Sequence, residues 1–417
     1  MKKILLVLLA LGAPLLFAGG PIYTRYGYGD LLFYNGSRSY AMGGGGFAML
    51  GDNFISRMNP ASLSQIIRTR FSAGLDFSRY TTESTSGAST FMQAAFQGMA
   101  LAVPLDKEYG IVFSFDATPY SAVSYTVGRS DTTLNSTQEY FGGGGLSTLN
   151  LGLSVSISPT IHFGAKFHYY YGRTNQLTKI DFSGSDRVDY SIDRSVYYSG
   201  LGLTLGSVIQ DIGSFIQMPS LSKLDAGIIL GLPATLQARE EVTSSVVSDT
   251  TFLSDGTSGL PLSFGIGFLY RPNERTNLVA DLFTQKWSGV SLYSSLPNFK
   301  PQNSLRISVG VEFLPARDAV SYWQRVVYRA GATYNSTYNN ISTQTNSNGE
   351  YVNGETITEA LATAGLGLPI SVDARLNLGL QAGVRGTLAN GLQRDTIVRL
   401  SLSISGNELW FLRFDEE

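Results

Sequence analysis

The chain has 417 residues, of which 15% are charged, with a net charge of −2 and no cysteine. Soluble domains carry about 25% charged residues, and a near-neutral chain offers no basic surface, so no nucleic-acid partner is expected. The absence of cysteine excludes disulfides, thiolate metal sites, cysteine nucleophiles and a cysteine-linked lipid anchor.

Met1-Lys2-Lys3 and the apolar run from Ile4 to Phe17 read as a secretory signal peptide, with cleavage near Ala18-Gly19. A membrane anchor is the other reading, but the run is shorter than the roughly 20 residues that span a bilayer. No later apolar run is long enough for a transmembrane helix. An exported chain without a helical span is periplasmic, extracellular or an outer-membrane barrel. The expected organisation is a signal peptide over 1–18, a compact N-terminal unit over 19–68 and a β-rich remainder over 69–417.

The N-terminal unit alternates nowhere. It contains Ala41-Met42-Gly43-Gly44-Gly45-Gly46-Phe47-Ala48-Met49 and then Asn59-Pro60-Ala61. Successive glycines reach backbone angles closed to other residues and let other segments approach closely. Asn59-Pro60 marks a turn, because proline pushes the preceding residue out of the helical region. The block reads as a plug with the rest of the chain as a wall around it. Its apolar side chains, Phe47, Met49, Leu50, Phe54 and Met58, either line an adaptable ligand pocket or pack the plug against the wall.

From about Arg70 the chain alternates with a period of two, as in 149–157, 306–313, 376–385 and 398–404. The apolar faces run over about 9–10 residues, the length a tilted strand needs to cross a membrane. The opposite faces carry Gly, Ser, Asn and isolated charges, which suit a wet interior. Tyrosines near segment ends (Tyr169 to Tyr171, Tyr197-Tyr198) suit interfacial girdles. A secreted sandwich with its apolar face turned inward is the alternative. Fourteen candidate strands fall at about 70–80, 91–103, 109–127, 146–157, 160–180, 191–206, 222–242, 258–271, 275–288, 302–314, 323–340, 355–368, 373–386 and 394–405. Short turns at 158–159 and 271–274 contrast with long polar loops at 128–145, 181–190, 243–257 and 341–354. The expected fold is therefore all-β, an antiparallel transmembrane barrel of about fourteen strands with an N-terminal plug in its lumen.

Met42-Gly43-Gly44-Gly45-Gly46 followed by Asn59-Pro60-Ala61 resembles the N-terminal hatch of the FadL family, outer-membrane transporters of long-chain fatty acids. PorV-like barrels of the type IX secretion system share that pattern. Family members usually continue with Gly where this chain has Ser62. They also commonly end on an aromatic residue read by the barrel assembly machinery, a partner expected during biogenesis, whereas Trp410, Phe411 and Phe414 here precede Asp415-Glu416-Glu417. The resemblance implies a fourteen-stranded plugged barrel in the bacterial outer membrane, in contact with its lipid. It also implies passive uptake of hydrophobic compounds such as long-chain fatty acids. A PorV-like barrel that binds a secretion-system partner is the alternative, and a purely structural barrel is third.

Pro119 donates no backbone hydrogen bond and is tolerated only at edges and bulges. It marks either a lateral gate, as a kink in the third strand does in the FadL family, or an ordinary turn. Lys166, Arg306, Glu312, Arg329 and Arg385 lie on polar faces and are expected to form lumenal ion pairs that hold the plug; Arg306, Arg329 or Arg385 could instead meet a ligand carboxylate. His162 and His168 do not have a metal-ligand spacing and read as polar lining. Gly142 to Gly145 lacks the Gly-Lys-Ser/Thr end of a phosphate loop. Neither a cofactor nor an enzymatic activity is expected.

Overall fold

The period-two alternation sorts the side chains of each strand onto two faces, and burial tells which face is inside. In the computed structural model, residues 20–33, 36–85, 87–131, 135–183, 187–245, 251–293, 296–316, 320–371 and 374–408 are described. The expected signal peptide and the stretch from Trp410 to Glu417 lie outside the described residues.

Fourteen strands form one closed antiparallel sheet. They are β1 (Thr69–Ser84), β2 (Gly87–Asp106), β3 (Ile111–Pro119 and Ser121–Asp131), β4 (Ser136–Ser158), β5 (Ile161–Phe182), β6 (Tyr190–Ile209) and β7 (Leu224–Gly231 and Ala234–Ser244). The second half comprises β8 (Thr251–Leu260 and Ser263–Asn273), β9 (Thr276–Gln285), β10 (Phe299–Pro301 and Ser304–Phe313), β11 (Val327–Ile341), β12 (Glu355–Pro369), β13 (Ala374–Gly386) and β14 (Arg394–Glu408). β14 returns to β1, from Thr69↔Glu408 to Glu83↔Arg394, and closes the wall. Closure pairs the two strand edges that a membrane would otherwise leave unsatisfied.

The aliphatic face points outward. On β4, Leu151 is 50% exposed while Asn150 beside it is 3% exposed. Phe77, Phe167, Val309 and Leu400 are likewise exposed, whereas Asp116, Lys166, Glu312 and Asp395 are buried. This is the inverse of a soluble sandwich. It is also why the lumen is lined by hydroxyls, amides and paired charges.

Two of the expected long loops are largely strand. Most of 128–145 extends β3 and begins β4, and much of 243–257 belongs to the ends of β7 and β8. β4 has 23 residues; at about 3.3 Å per residue and a tilt near 40° it stands roughly 55–60 Å tall, over twice the ~25 Å apolar band. Polar residues there mark ladder continuing above the lipid, where both faces meet water. The periodicity that betrays a membrane strand therefore fades although the pairing persists. The turns at 107–110, 159–160 and 274–275 share one end of the barrel, the end that outer-membrane barrels keep in the periplasm.

Residues 20–66 form short elements: 3-10 turns at Ile22–Arg25 and Pro60–Gln65, a two-residue strand at Asp30–Leu31 and a helical turn at Ser37–Tyr40. Residues 39–49 are all buried. Their neighbours are inward-facing residues of the wall, as described below.

The outward orientation of the apolar face makes a quantitative expectation. Leu151→Arg would set a guanidinium against lipid and should lower the unfolding free energy by about 2–4 kcal/mol. Urea unfolding in phospholipid vesicles measures this, and a loss under about 0.5 kcal/mol would contradict the orientation.

Candidate functional site

The third strand does not run through. Pro119 pairs with Ser147, and pairing resumes at Val123↔Gly144. Three residues of β3, at 120–122, thus stand opposite two of β4, the count of a bulge. Pro119 is therefore the last residue before a break within one strand, not part of a turn between two. Gly145 lies opposite the break with a positive φ of 138°, and a side chain there would strike the backbone of Ser121 and Ala122.

Below the break β3 pairs with β2, from Met99↔Ala117 to Asp106↔Ile111. Above it the two strands part: among the described residues, 87–98 of β2 and 121–131 of β3 share no ladder. A register shift between Gly74 and Leu75 places an extra residue, Gln97, at the parting point of β2. The edges left open receive partners from the N-terminal segment instead. Leu31 and Asp30 pair with Ser121 and Ala122. The Leu32 N–H donates to Tyr120 O at 2.9 Å, and the Thr24 hydroxyl donates to Ser124 O at 2.7 Å. On the β2 side, Arg57 donates to the carbonyls of Gln97 (2.9 Å) and Gly98 (3.4 Å). Burial lowers the pKa of the Arg57 guanidinium, and the charge of Asp116 partly opposes that shift.

Polar groups around the ring hold the same segment. Glu312 of β10 accepts from Arg38 (2.9 and 2.7 Å), from Arg329 (2.9 Å) and from Asn277 (3.0 Å). Arg385 of β13 bridges Asp30 of the segment (2.6 Å) and Asp395 of β14 (2.9 Å). Arg306 donates to the carbonyls of Gly43 and Gly44, both at 3.3 Å. Asp281 of β9 accepts the N–H of Gly46 (2.5 Å) and of Phe47 (3.0 Å). Lys166 donates to Arg57 O (2.6 Å) and pairs with Asp116 (3.2 Å). Asn59 caps the turn at Pro60–Gln65 by accepting the Ala61 N–H at 3.1 Å, and its amide donates to Phe47 O and Ser207 O. Gly43 and Gly44 take positive φ (68° and 78°), and the Met42–Gly43 backbone presses on Gly331 of β11, where a methyl would collide.

Behind the β3 break lies a cavity of about 190 Å³. Its apolar lining includes Phe33, Phe47, Met58, Tyr120, Tyr170 and Phe283. A polar edge is formed by Asp116, Asn150, Lys166 and His168. His168 is held between Asn150 Oδ1 (2.6 Å) and the Thr204 hydroxyl (2.8 Å). His162 sits elsewhere on β5, its Nδ1 within 2.9 Å of the Ser64 hydroxyl and 2.8 Å of that of Ser156. An aromatic cluster adjoins the cavity, with Tyr26, Tyr28, Trp287, Phe299 and Tyr338 buried together. Trp287 and Tyr338 have ring centroids 4.7 Å apart.

Of the apolar residues singled out in the sequence, Phe47 and Met58 line this cavity, whereas Met49 and Phe54 line another near Glu312. Leu50 lines neither. The five charges Lys166, Arg306, Glu312, Arg329 and Arg385 all face inward and are buried. Their partners Asp30, Arg38, Asp116 and Asp395 were not singled out, nor was Asp281, which accepts from the glycine block. Asp116 follows Phe115 as the one charge in an apolar run, and Asp281 interrupts Leu278 to Leu282 in the same way, so an isolated acid inside a strand was the available signal.

The fold is that of the FadL-type barrels of the bacterial outer membrane. The toluene transporter TbuX of Ralstonia pickettii superposes with a TM-score of 0.61 at 17% identity, over 89% of this chain and 98% of that one. A FadL homologue of Pseudomonas aeruginosa gives 0.59 at 13% identity, over 91% and 99%. The toluene transporter TodX of Pseudomonas putida gives 0.56 at 17%, over 91% and 99%. These neighbours are transport proteins, not enzymes. A sequence model of the BamG family matches residues 1–415, and the chain belongs to that family. No curated protein matches it.

Glu312→Gln would leave Arg38 and Arg329 facing each other across a neutral amide. Breaking a buried ion cluster from one side costs about 3–5 kcal/mol. The expected outcome is a lower guanidinium midpoint and new tryptic cleavage after Arg38 or Arg57; an unchanged digest would mean that Glu312 does not tether the segment.

Proposed function

We propose that residues 20–66 form a hatch within the lumen and that the barrel passes small hydrophobic molecules across the outer membrane by diffusion. The path runs through the cavity beside Pro119 and out sideways between 87–98 of β2 and 121–131 of β3. The observation that carries this reading is the missing ladder between those two stretches, with a cavity of mixed lining, largely aromatic and aliphatic on one side, directly behind it. In such a wall the segment from Thr24 to Leu32 acts as a removable strand. While it is paired, the edge of β3 is satisfied; when it withdraws, an apolar molecule moves into lipid without meeting the polar surface layer.

Cavity size bears on the cargo. A cavity of about 150 Å³ lined by apolar side chains accepts benzene, so about 190 Å³ has room for a single-ring compound against the aromatic side of the lining. A long-chain fatty acid needs either an enlarged cavity or a tail reaching into the gap. The toluene transporters among the structural neighbours agree with the smaller cargo. The family match favours a second reading, a role beside the machinery that assembles barrels. A secretion-system partner has no observation in its favour.

The chain lacks cysteine, which permits a clean lock. Leu31 and Ser121 are register partners, and facing pairs in a sheet lie within disulfide reach. The double variant Leu31→Cys, Ser121→Cys in proteoliposomes should take up toluene at least tenfold more slowly when oxidised and recover on reduction. Uptake that is indifferent to the lock sinks the lateral path, and co-purification of barrel-assembly components with such a protein favours the second reading.

A further inference from the structure

A separate cavity of about 70 Å³ lies between the N-terminal segment and the short-turn end of the wall. Its charged lining is unbalanced: Arg38, Arg57, Arg329 and Arg375 face one carboxylate, Glu312. Four guanidinium groups against one carboxylate leave three positive charges without a counter-charge in the lining. Glu312 has no capacity left, since it already accepts from Arg38 twice, from Arg329 and from Asn277. Arg57 is bound only to neutral acceptors, the carbonyls of Gln97 and Gly98 and the Ser72 hydroxyl. Arg38 Nη1 is buried without an acceptor. Among the described residues the Arg375 side chain makes no hydrogen bond or ion pair.

Like charges gathered in a small recess are unfavourable unless an anion joins them. The rest of the lining suits an oxyanion, because the hydroxyls of Ser72, Ser403 and Ser405 and the amide of Asn377 can donate at its edge. Guanidinium groups also match the paired oxygens of a phosphate in a fork geometry.

We propose that this cavity binds a phosphate group, free or carried by a lipid headgroup, with Arg375 as its main unpaired contact. The bound anion joins Arg38 and Arg57 of the N-terminal segment to Arg329 and Arg375 of the wall. It thereby fastens the segment to the wall at β10, β11 and β13. The site does not rest on the transport reading, since Arg57 is the one residue that its lining shares with the cavity beside Pro119.

Inorganic phosphate titrated calorimetrically into the full-length protein in neutral detergent, at ionic strength held constant with chloride, should show one saturable site. Acetate should bind at least tenfold more weakly, because one negative charge leaves two of the three positive charges unmatched. Arg375→Gln should weaken phosphate binding at least tenfold, the loss of one charge-assisted contact. The barrel of this variant should still run as a folded, heat-modifiable species, since Arg375 holds nothing else in place. No saturation, equal affinity for acetate, or a dissociation constant unaltered by Arg375→Gln would overturn the site. Repeating the phosphate titration in nanodiscs with and without phosphatidylglycerol separates the sources: competition identifies a headgroup, and an unaltered constant identifies the free ion.

Discussion

The structure depends on one constraint: in hydrocarbon, every backbone N–H and C=O must find a partner within the protein. Among the described residues, thirteen of the fourteen neighbouring contacts around the ring meet it with antiparallel ladders, some interrupted by bulges, including the seam between β1 and β14. The contact between β2 and β3 meets it only below Met99↔Ala117. Above that level the N-terminal segment takes the place of the missing strand through Asp30 and Leu31, Leu32, Thr24 and Arg57. The wall and the segment are therefore one hydrogen-bonded system, with a seam made of borrowed partners.

Charge serves placement more than stability. A buried ion pair gives back in attraction about what it loses in desolvation, so the cluster of Glu312 with Arg38 and Arg329, and that of Arg385 with Asp30 and Asp395, add little net energy. Their effect is directional. Each acid or arginine on the wall accepts only one position of the segment, because a displaced partner leaves a bare charge in a recess. Asp281, which receives two main-chain N–H groups of the glycine block, works in the same way without a cation. Apolar contacts such as Met42 and Met49 against Leu269 and Val279 supply adhesion but tolerate sliding.

Glycine carries the other half of the fit. The wall presents no Cβ where Pro60 lies against Gly164 and Gly206, nor where Met42 and Gly43 lie against Gly310 and Gly331. Where the N-terminal segment lies against the wall, small residues are contact surface. In the sequence they looked only like polar-face filler. Within the run Gly142 to Gly145, Gly145 leaves room for the backbone of Ser121 and Ala122 at the β3 break.

The amino-acid sequence by itself determined the number and order of the strands, the outward direction of their aliphatic rows and the inward direction of Lys166, Arg306, Glu312, Arg329 and Arg385. These are local properties, written in a period of two and readable within about ten residues. Tertiary structure alone decided how far the strands continue beyond the lipid, which acid meets which arginine, and that β3 lets go of β2 at Pro119. Each of those outcomes joins residues up to 355 positions apart, as Asp30 and Arg385 are, and no periodicity within a segment records which distant segment it will meet.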